Sequence, residues 1–375
     1  MCPVNTVFIG AFNNINKSMS SFSSCAGSKV QLEIIKSLNE LCPEVKALIM
    51  PEVRSWPKNK LYFKGSNQDG IKFAPLLNFF LFKRFAFALY VFFYLLINNP
   101  CRVYFYNTNT SMNLFMTILS FIRRKQRKVL IIQDVHSPIN LRLADVLKPR
   151  TVIDYLGYKM TRYGFDFFVP ITKQVSDYLH LPKDKVYVWH GGITDFPNRV
   201  TSYSTCDFAV FAGALTKYNG VDLLLEFWAK RSDSIPLHVF GVGELNQLAI
   251  EYSKQYENII YHGFQPPSTV SEYVAKAKIN FCFRFSLGIS QEFFFPSKFF
   301  DILMEKGFVV CNKFKNMPHD LKPYVLLIES DFSNFTEVID ECFQKDVICI
   351  HERHALLKSE YSWFKPMDYV ERNFI

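Results

Sequence analysis

The residues most capable of chemistry lie in one stretch of the C-terminal half, FRFSLGISQEFFFPSKFFDILMEKG, from Phe283 to Gly307. Arg284 ends an apolar run that reads as a strand. Pro296 suits the head of a helix, where its missing N–H costs nothing. Lys298 follows in the expected first turn. A cation there opposes the helix dipole unless an anion binds beside it. Asp301 comes one helical turn later on the same face. A cation for a diphosphate and an acid for ribose hydroxyls at this spacing make a grip for a nucleoside diphosphate. The other reading of the Lys298–Asp301 spacing is a surface ion pair.

Upstream, CDFAVFAG leads into Gly213-Ala-Leu-Thr-Lys-Tyr-Asn-Gly220 and then Val-Asp-Leu-Leu-Leu. A strand, a glycine turn and a helix start form an anion site, because the first helical N–H groups are unpaired. Gly213 lets the backbone approach a phosphate, and Lys217 adds a charge. His238-Val-Phe-Gly-Val-Gly-Glu244 is a second strand–glycine turn, with Gly241 and Gly243 spaced as G-x-G. Position 246 is Asn, so the third glycine of a dinucleotide fingerprint is missing. Tyr261-His-Gly-Phe264 follows a third strand. The backbone at Gly263 and Phe264 is placed to read a planar base, or it is an ordinary turn. In the N-terminal half, Asp134 and His136 of QDVHS follow the strand 129–132. They stand at a strand end facing the expected cleft, or His136 is a turn residue capping local backbone. His351-Glu-Arg-His354 is not a metalloprotease motif, since its histidines are three apart.

The elements needed to position these groups alternate along the chain. Strands are expected at 4–9, 103–106, 129–132, 167–169 and 186–189, with helices at 29–41 and 113–124 between them. A second series runs from Phe208. Its helices are expected at 221–229, 245–256, 269–276 and 297–306, and its strands at 237–241, 259–261, 279–283 and 309–311. Strands alternating with helices imply right-handed βαβ units and parallel sheets. Two series imply two doubly wound α/β domains, with the boundary in the polar stretch 193–206. Ligands of such sheets bind beyond the carboxyl ends of the strands, here across an expected interdomain cleft.

Composition narrows the class. The chain has 375 residues, 49% of them apolar and 21% charged, which excludes intrinsic disorder. Its nine cysteines are scattered and never spaced as CxxC, which argues against a disulfide framework and a zinc cluster and suits a reducing cytoplasm. The net charge of +9 points to phosphates, nucleic acid or an anionic membrane. The first ten residues lack the pattern of a signal peptide. Phe73–Ile97 is the one apolar stretch of membrane interest. Lys83 and Arg84 interrupt it, leaving 13 uninterrupted apolar residues from Phe85 to Ile97, where a span needs about 20. It reads as a core helix or as a helix dipping into a membrane interface. The basic run Arg123, Arg124, Lys125, Arg127 and Lys128 is a solvated face or an anionic-lipid contact. No nucleic-acid motif accompanies it, so nucleic acid is not expected as a partner.

Taken in order, GALTKYNGVDLLLEF, HVFGVGE, YHGF and FPSKFFDILMEKGFVV resemble the donor-binding half of GT-B glycosyltransferases, most closely the retaining family 4 group. The likeness is clear over 205–312 and looser before it. Ala26-Gly27-Ser28 resembles the family's Gly-rich loop, Trp189-His-Gly-Gly-Ile193 its H-N-G turn, and Tyr361-Ser-Trp363 the opening of its last helices. The resemblance implies a GT-B fold of two Rossmann-like domains facing across a cleft. It implies an acceptor domain at 1–195, a donor domain at 196–355, and C-terminal helices 356–375 returning to the first. Gly27, Gly213, Lys217, Gly241, Gly263, Phe264, Arg284, Ser297, Lys298 and Asp301 would then bind the donor. His136, Asp134 and Glu292 would serve catalysis.

The chain departs from the family pattern at three places. Ala214 and Asn219 replace its usual Arg and Lys, and Phe293 replaces the first of its paired acids, with Glu292 one residue off. Neither a metal nor another cofactor is expected, and Asp-x-Asp does not occur in the chain. The expected partners are a nucleotide diphosphate sugar, a glycan or polyprenyl-linked acceptor, and the anionic inner surface of the plasma membrane. The setting would be O-antigen or capsule synthesis by a cytoplasmic, peripheral enzyme. Two other readings stay open: a nucleotide-sugar 2-epimerase, and a membrane-peripheral scaffold with a decayed donor site.

Overall fold

The computed structural model describes residues 5–12, 25–42, 44–68, 70–80, 82–135, 149–194, 205–285, 291–296, 298–345 and 350–374. The chain forms two compact units. One comprises Met1–Thr194 with Trp363–Ile375, the other Asp195–Ser362.

The first unit is built on β1 (Thr6–Phe12), β2 (Val45–Pro51), β3 (Tyr62–Phe63), β4 (Ser66–Gln68), β5 (Ile71–Phe73), β6 (Leu76–Leu77), β7 (Arg102–Tyr106), β8 (Arg127–Ile132) and β9 (Phe167–Pro170). Its main sheet has the order β4-β5-β2-β1-β7-β8-β9 and is parallel except for the β4–β5 pair. β3 and β6 make a separate antiparallel pair. The central strands are apolar on both faces, as strands covered on both sides must be. Val7, Phe8, Val103, Tyr104, Ile131 and Phe168 are wholly buried. Helix Cys25–Leu41 follows β1 and is joined to it by Gln31, whose amide accepts from Ala11 N (2.9 Å) and donates to Ala11 O (2.8 Å). Gly10 makes room for this: a Cβ there would lie 2.1 Å from the Gln31 Oε1.

The apolar stretch 73–97 is not one helix. Phe73 closes β5, Leu76–Leu77 is β6, and the helix runs from Lys83 to Asn98. Lys83 and Arg84 therefore open a helix rather than interrupt one. Phe87, Ala88, Val91 and Leu95 form its buried stripe. Among the described residues, no helix is long and apolar enough to cross a membrane. The expected strand at 186–189 is only an isolated bridge, Phe168 to Val186.

The second unit carries β10 (Cys206–Ala212), β11 (Leu237–Phe240), β12 (Ile259–Gly263), β13 (Ala277–Cys282), β14 (Phe308–Asn312) and β15 (Leu326–Ile328). All are parallel, in the order β12-β11-β10-β13-β14-β15. This is the doubly wound nucleotide-binding order. Helices Val221–Ala229, Asn246–Gln255, Pro267–Lys276 and Phe335–Gln344 connect them, and Trp228 and Phe335 pack into one buried core with β10, β11 and β13. The expected helix 297–306 is a five-residue helix, Phe299–Leu303, with Lys298 as its N-cap residue. In the motif HERH, helix Ile350–Glu360 buries Arg353, which donates to the carbonyls of Glu305 and Gly307.

The chain's last helix, Phe364–Phe374, joins the first unit. Phe374 packs on Phe167 with ring centroids 3.7 Å apart, and Tyr369 on Tyr187 at 4.3 Å. Its Glu371 carboxylate accepts from Arg102 and from the Tyr104 hydroxyl. Burial, and then the Glu371 charge, push the Tyr104 pKa well up, so its proton stays on as the donor. Glu371→Ala strands that buried hydroxyl and is expected to cost about 1–3 kcal/mol. Thermal unfolding should show a Tm lower by a few degrees. Adding Tyr104→Phe to that variant should recover part of the loss.

Candidate functional site

In the second sheet the strand order reverses between β10 and β13, the place where doubly wound sheets bind ligands. β10 ends at Ala212 and runs into Gly213, while β13 ends at Cys282 and runs through Phe283 into Arg284. The Lys298 side chain reaches back to this point. Its Nζ donates to Ala212 O at 2.5 Å, and a Cβ on Gly213 would stand 3.5 Å from that Nζ. Both cations act on the buried Cys282 thiol. Burial pushes its pKa up to about 12, and Lys298 and then Arg284 oppose the rise.

Arg284 is held at its backbone. Asn312, fully buried at the end of β14, accepts from Arg284 N and donates to Arg284 O, each at 2.7 Å. The guanidinium lies over the Phe294 ring, 5.3 Å from its centroid. The next residue, Phe285, donates its N–H to Tyr218 O at 2.7 Å. That contact joins the Arg284 loop to the exposed turn Lys217–Asn219. The Lys217 amide in turn donates to Glu244 Oε1 at 3.0 Å. Gly220 caps helix Val221–Ala229 at φ +62°, and a Cβ there would lie 2.4 Å from the Phe285 ring.

The two glycines of G-x-G serve backbone packing. Gly241 sits at φ +128°, where a Cβ would lie 1.7 Å from Gly213 O, and a Cβ on Gly243 would lie 2.3 Å from Leu215 O. They let the turn after β11 pack onto the turn after β10. Asn246, in place of the third glycine, accepts from Gly243 N at 2.7 Å. Gly263 continues the line, its carbonyl accepting from Gly241 N at 2.8 Å, and Phe264 beside it is exposed.

No family model and no curated protein matches the sequence. Solved structures do. The chain is similar to the lipopolysaccharide outer core galactosyltransferase WaaB in its apo form, at TM-score 0.64 and 14% identity over 99% of this chain and 100% of that one. Against Anabaena HepE in complex with UDP-glucose the TM-score is 0.63 at 12% identity, over 97% and 98% of the two chains. Against sucrose-phosphate synthase from Thermosynechococcus elongatus it is 0.66 at 10% identity, again over 97% and 98%. The fold is GT-B.

Within this GT-B chain, Gly213, Lys217, Gly241, Gly263, Arg284 and Lys298 come together at the carboxyl ends of β10 to β13. Asp301 follows Lys298 by one turn, partly buried in helix Phe299–Leu303. Glu292 lies in the turn Gln291–Phe293, its carboxylate paired with Lys315 and its carbonyl accepting from Asn316 at 2.9 Å. Two expected site residues lie among the described residues of the first unit. Gly27 lies inside the first turn of helix Cys25–Leu41 rather than in a loop, and its carbonyl accepts from Gln31 at 3.2 Å. Asp134 follows β8, its backbone N–H donating to Asn107 Oδ1 at 3.2 Å. His136 and Ser297 lie outside the described residues, as does most of the expected boundary 193–206.

Two features escaped the sequence reading. One is Asn312, whose only sequence signal is a polar residue closing the apolar run FVVC. The other is a histidine pair beside the YHGF turn. His238 Nδ1 and His262 Nε2 are 2.8 Å apart among Phe208, Phe240 and Tyr273. Burial, and then the His262 charge, push the His238 pKa down to about 4, and burial lowers His262 as well.

Asn312→Ala removes both hydrogen bonds to Arg284 and is expected to cost about 2 kcal/mol or more in stability. The histidines give a pH prediction. Unfolded, they gain protons near the ordinary value of 6.5; folded, His238 does so only near 4. The unfolded state thus binds more protons in this interval, so stability is lost as pH falls from about 6.5 to about 4. Tm measured across that range should fall on acidification, less steeply for His238→Phe.

Proposed function

We propose that this chain is a glycosyltransferase drawing its sugar from a nucleoside diphosphate donor held by the second unit. The observation that carries the reading is the pair of cations, Arg284 and Lys298, at the strand-order reversal beside Gly213. The whole-chain likeness to a galactosyltransferase and to a UDP-glucose complex supports it.

In this reading the diphosphate lies against Gly213 between the two cations. They stabilise the charge that develops as the nucleoside diphosphate departs, the role a divalent ion would otherwise fill. Asp301 receives the ribose hydroxyls, and the backbone at Gly263 and Phe264 faces the base. An acceptor hydroxyl attacks the anomeric carbon on the face the leaving group vacates. One C–O bond forms as the other breaks, the hydroxyl proton passes to the departing phosphate oxygen, and configuration is retained. No protein nucleophile takes part. The acceptor is a glycan or a polyprenyl-linked sugar in surface polysaccharide synthesis, O-antigen or capsule, and the enzyme works peripherally at the cytoplasmic face of the plasma membrane.

Titration with UDP and GDP tests the donor site. Charge-assisted hydrogen bonds contribute roughly 1.5–3 kcal/mol each, so Lys298→Ala and Arg284→Ala should each weaken binding about tenfold or more. Unchanged affinity in both variants would sink the assignment. Asp301→Asn should raise the donor KM without removing a limb of the pH–kcat profile. Release of nucleoside diphosphate from a sugar-nucleotide panel should require membrane extract as acceptor. Turnover without an acceptor would favour an epimerase.

A further inference from the structure

Two helices of the first unit, Thr110–Ile122 and Pro149–Gly164, pack closely against each other. Their contact is rich in small and polar groups, with Met116 beside Gly164. A Cβ on Gly157 would lie 2.4 Å from Thr110 Oγ1, and one on Gly164 would lie 3.2 Å from Thr117 N. The buried Asn113 donates to Gly157 O at 3.0 Å and to Thr161 Oγ1 at 2.9 Å. Ser120 donates to Gly164 O at 3.2 Å. Met112, Met116 and Leu119 of the first helix are buried, but a second apolar set faces outward: Leu114, Ile118, Phe121, Ile153 and Leu156 are all exposed, Phe121 by 72%. Water does not favour this second apolar face. Close backbone approach, internal hydrogen bonds and outward apolar groups are how helices pack in lipid.

The apolar surface continues onto helix Lys83–Asn98. Phe115 lies 5.5 Å from both Phe85 and Phe92, and Phe82 and Phe79 extend the row to Trp56. Contiguous exposed apolar surface of this kind marks a partner or a membrane. Charge decides which. The rim carries Arg123, Arg124 and Lys125, and Arg123 donates to Leu96 O at 2.9 Å, fixing it where two helices end. Between positions 53 and 133 thirteen residues are Lys or Arg and one, Asp69, is acidic, so this segment carries a net +12 and the remainder of the +9 chain is net acidic. A symmetric contact with a second copy would set like-charged rims together. An anionic lipid surface meets both the apolar face and its cations.

We propose that the outward face of these helices inserts into an anionic lipid monolayer, with Phe121 and Leu156 in the acyl boundary and Arg124 and Lys125 at the headgroups. The reading of the chain as a peripheral glycosyltransferase supplies only its setting, since vesicle binding is measured without turnover.

The test is flotation of the full chain with vesicles of phosphatidylcholine, alone or mixed with phosphatidylglycerol, at low and high salt. The chain should float with the mixed vesicles and release as salt rises. Each cation near the surface is worth about a fivefold factor, so R124S/K125S should weaken partitioning roughly 25-fold. F121S/L156S, exposed positions both, should abolish flotation while Tm and UDP affinity stay at wild-type values. Failure to float with either vesicle at low salt would overturn the proposal, as would undiminished flotation of both double variants. A dimer in light scattering that F121S/L156S dissociates would assign the face to a second copy and overturn it as well. Loss of UDP binding with flotation intact would count against the donor site alone.

Discussion

Between β10 and β13 the connections leave a parallel sheet in opposite directions, so neither folds over the gap that opens where the order reverses. The other features of the candidate site follow from that constraint. At the ends of these two strands the sequence places the Lys298 amine and the Arg284 loop. Each is tied to the framework, Lys298 through the Ala212 carbonyl and Arg284 through Asn312. Cations held this way need little ordering when an anion arrives, which is what makes such a site effective.

The neighbouring turns keep this point accessible. Gly241 and Gly243 let the turn after β11 rest directly on the Gly213–Leu215 backbone, where any side chain would collide. Gly220 does the same for the Phe285 ring. Four turns thereby lock into one layer at the carboxyl ends of the strands. Ala214 and Asn219 stand where the resembled pattern has Arg and Lys, so the cations of this layer are Lys217, Arg284 and Lys298. Asn219 has a different task, donating to Ala214 O at 2.8 Å to close the first turn.

Much of this was legible in the sequence because parallel strands buried on both faces read as apolar runs. Helix Val221–Ala229 falls where its periodicity placed it, with Gly220 as its start. The reading failed where apolarity carried no period. In 73–97 two short strands and a helix share one apolar composition, and only Pro75 marks the break. The helix expected at 297–306 stops at Leu303 because its continuation turns directly into β14. In the sequence the G-x-G is only an incomplete dinucleotide fingerprint, whereas its physical reason is a contact with a chain segment nearly thirty residues away. Asn312 acts through hydrogen bonds to a residue in another strand's loop, which no local pattern encodes. The close contact of helices Thr110–Ile122 and Pro149–Gly164 was hidden for the same reason: Gly157 and Asn113 declare their role only when paired.

Hydrogen–deuterium exchange of the full chain, with and without saturating UDP or GDP, tests the central claim most directly. Binding at the strand-order reversal predicts slowed exchange at the amides of 213–220 and 284–285 and around 298–301, with the first helices of the other unit unchanged. Protection confined to the first unit, or none at saturating nucleotide, would contradict it.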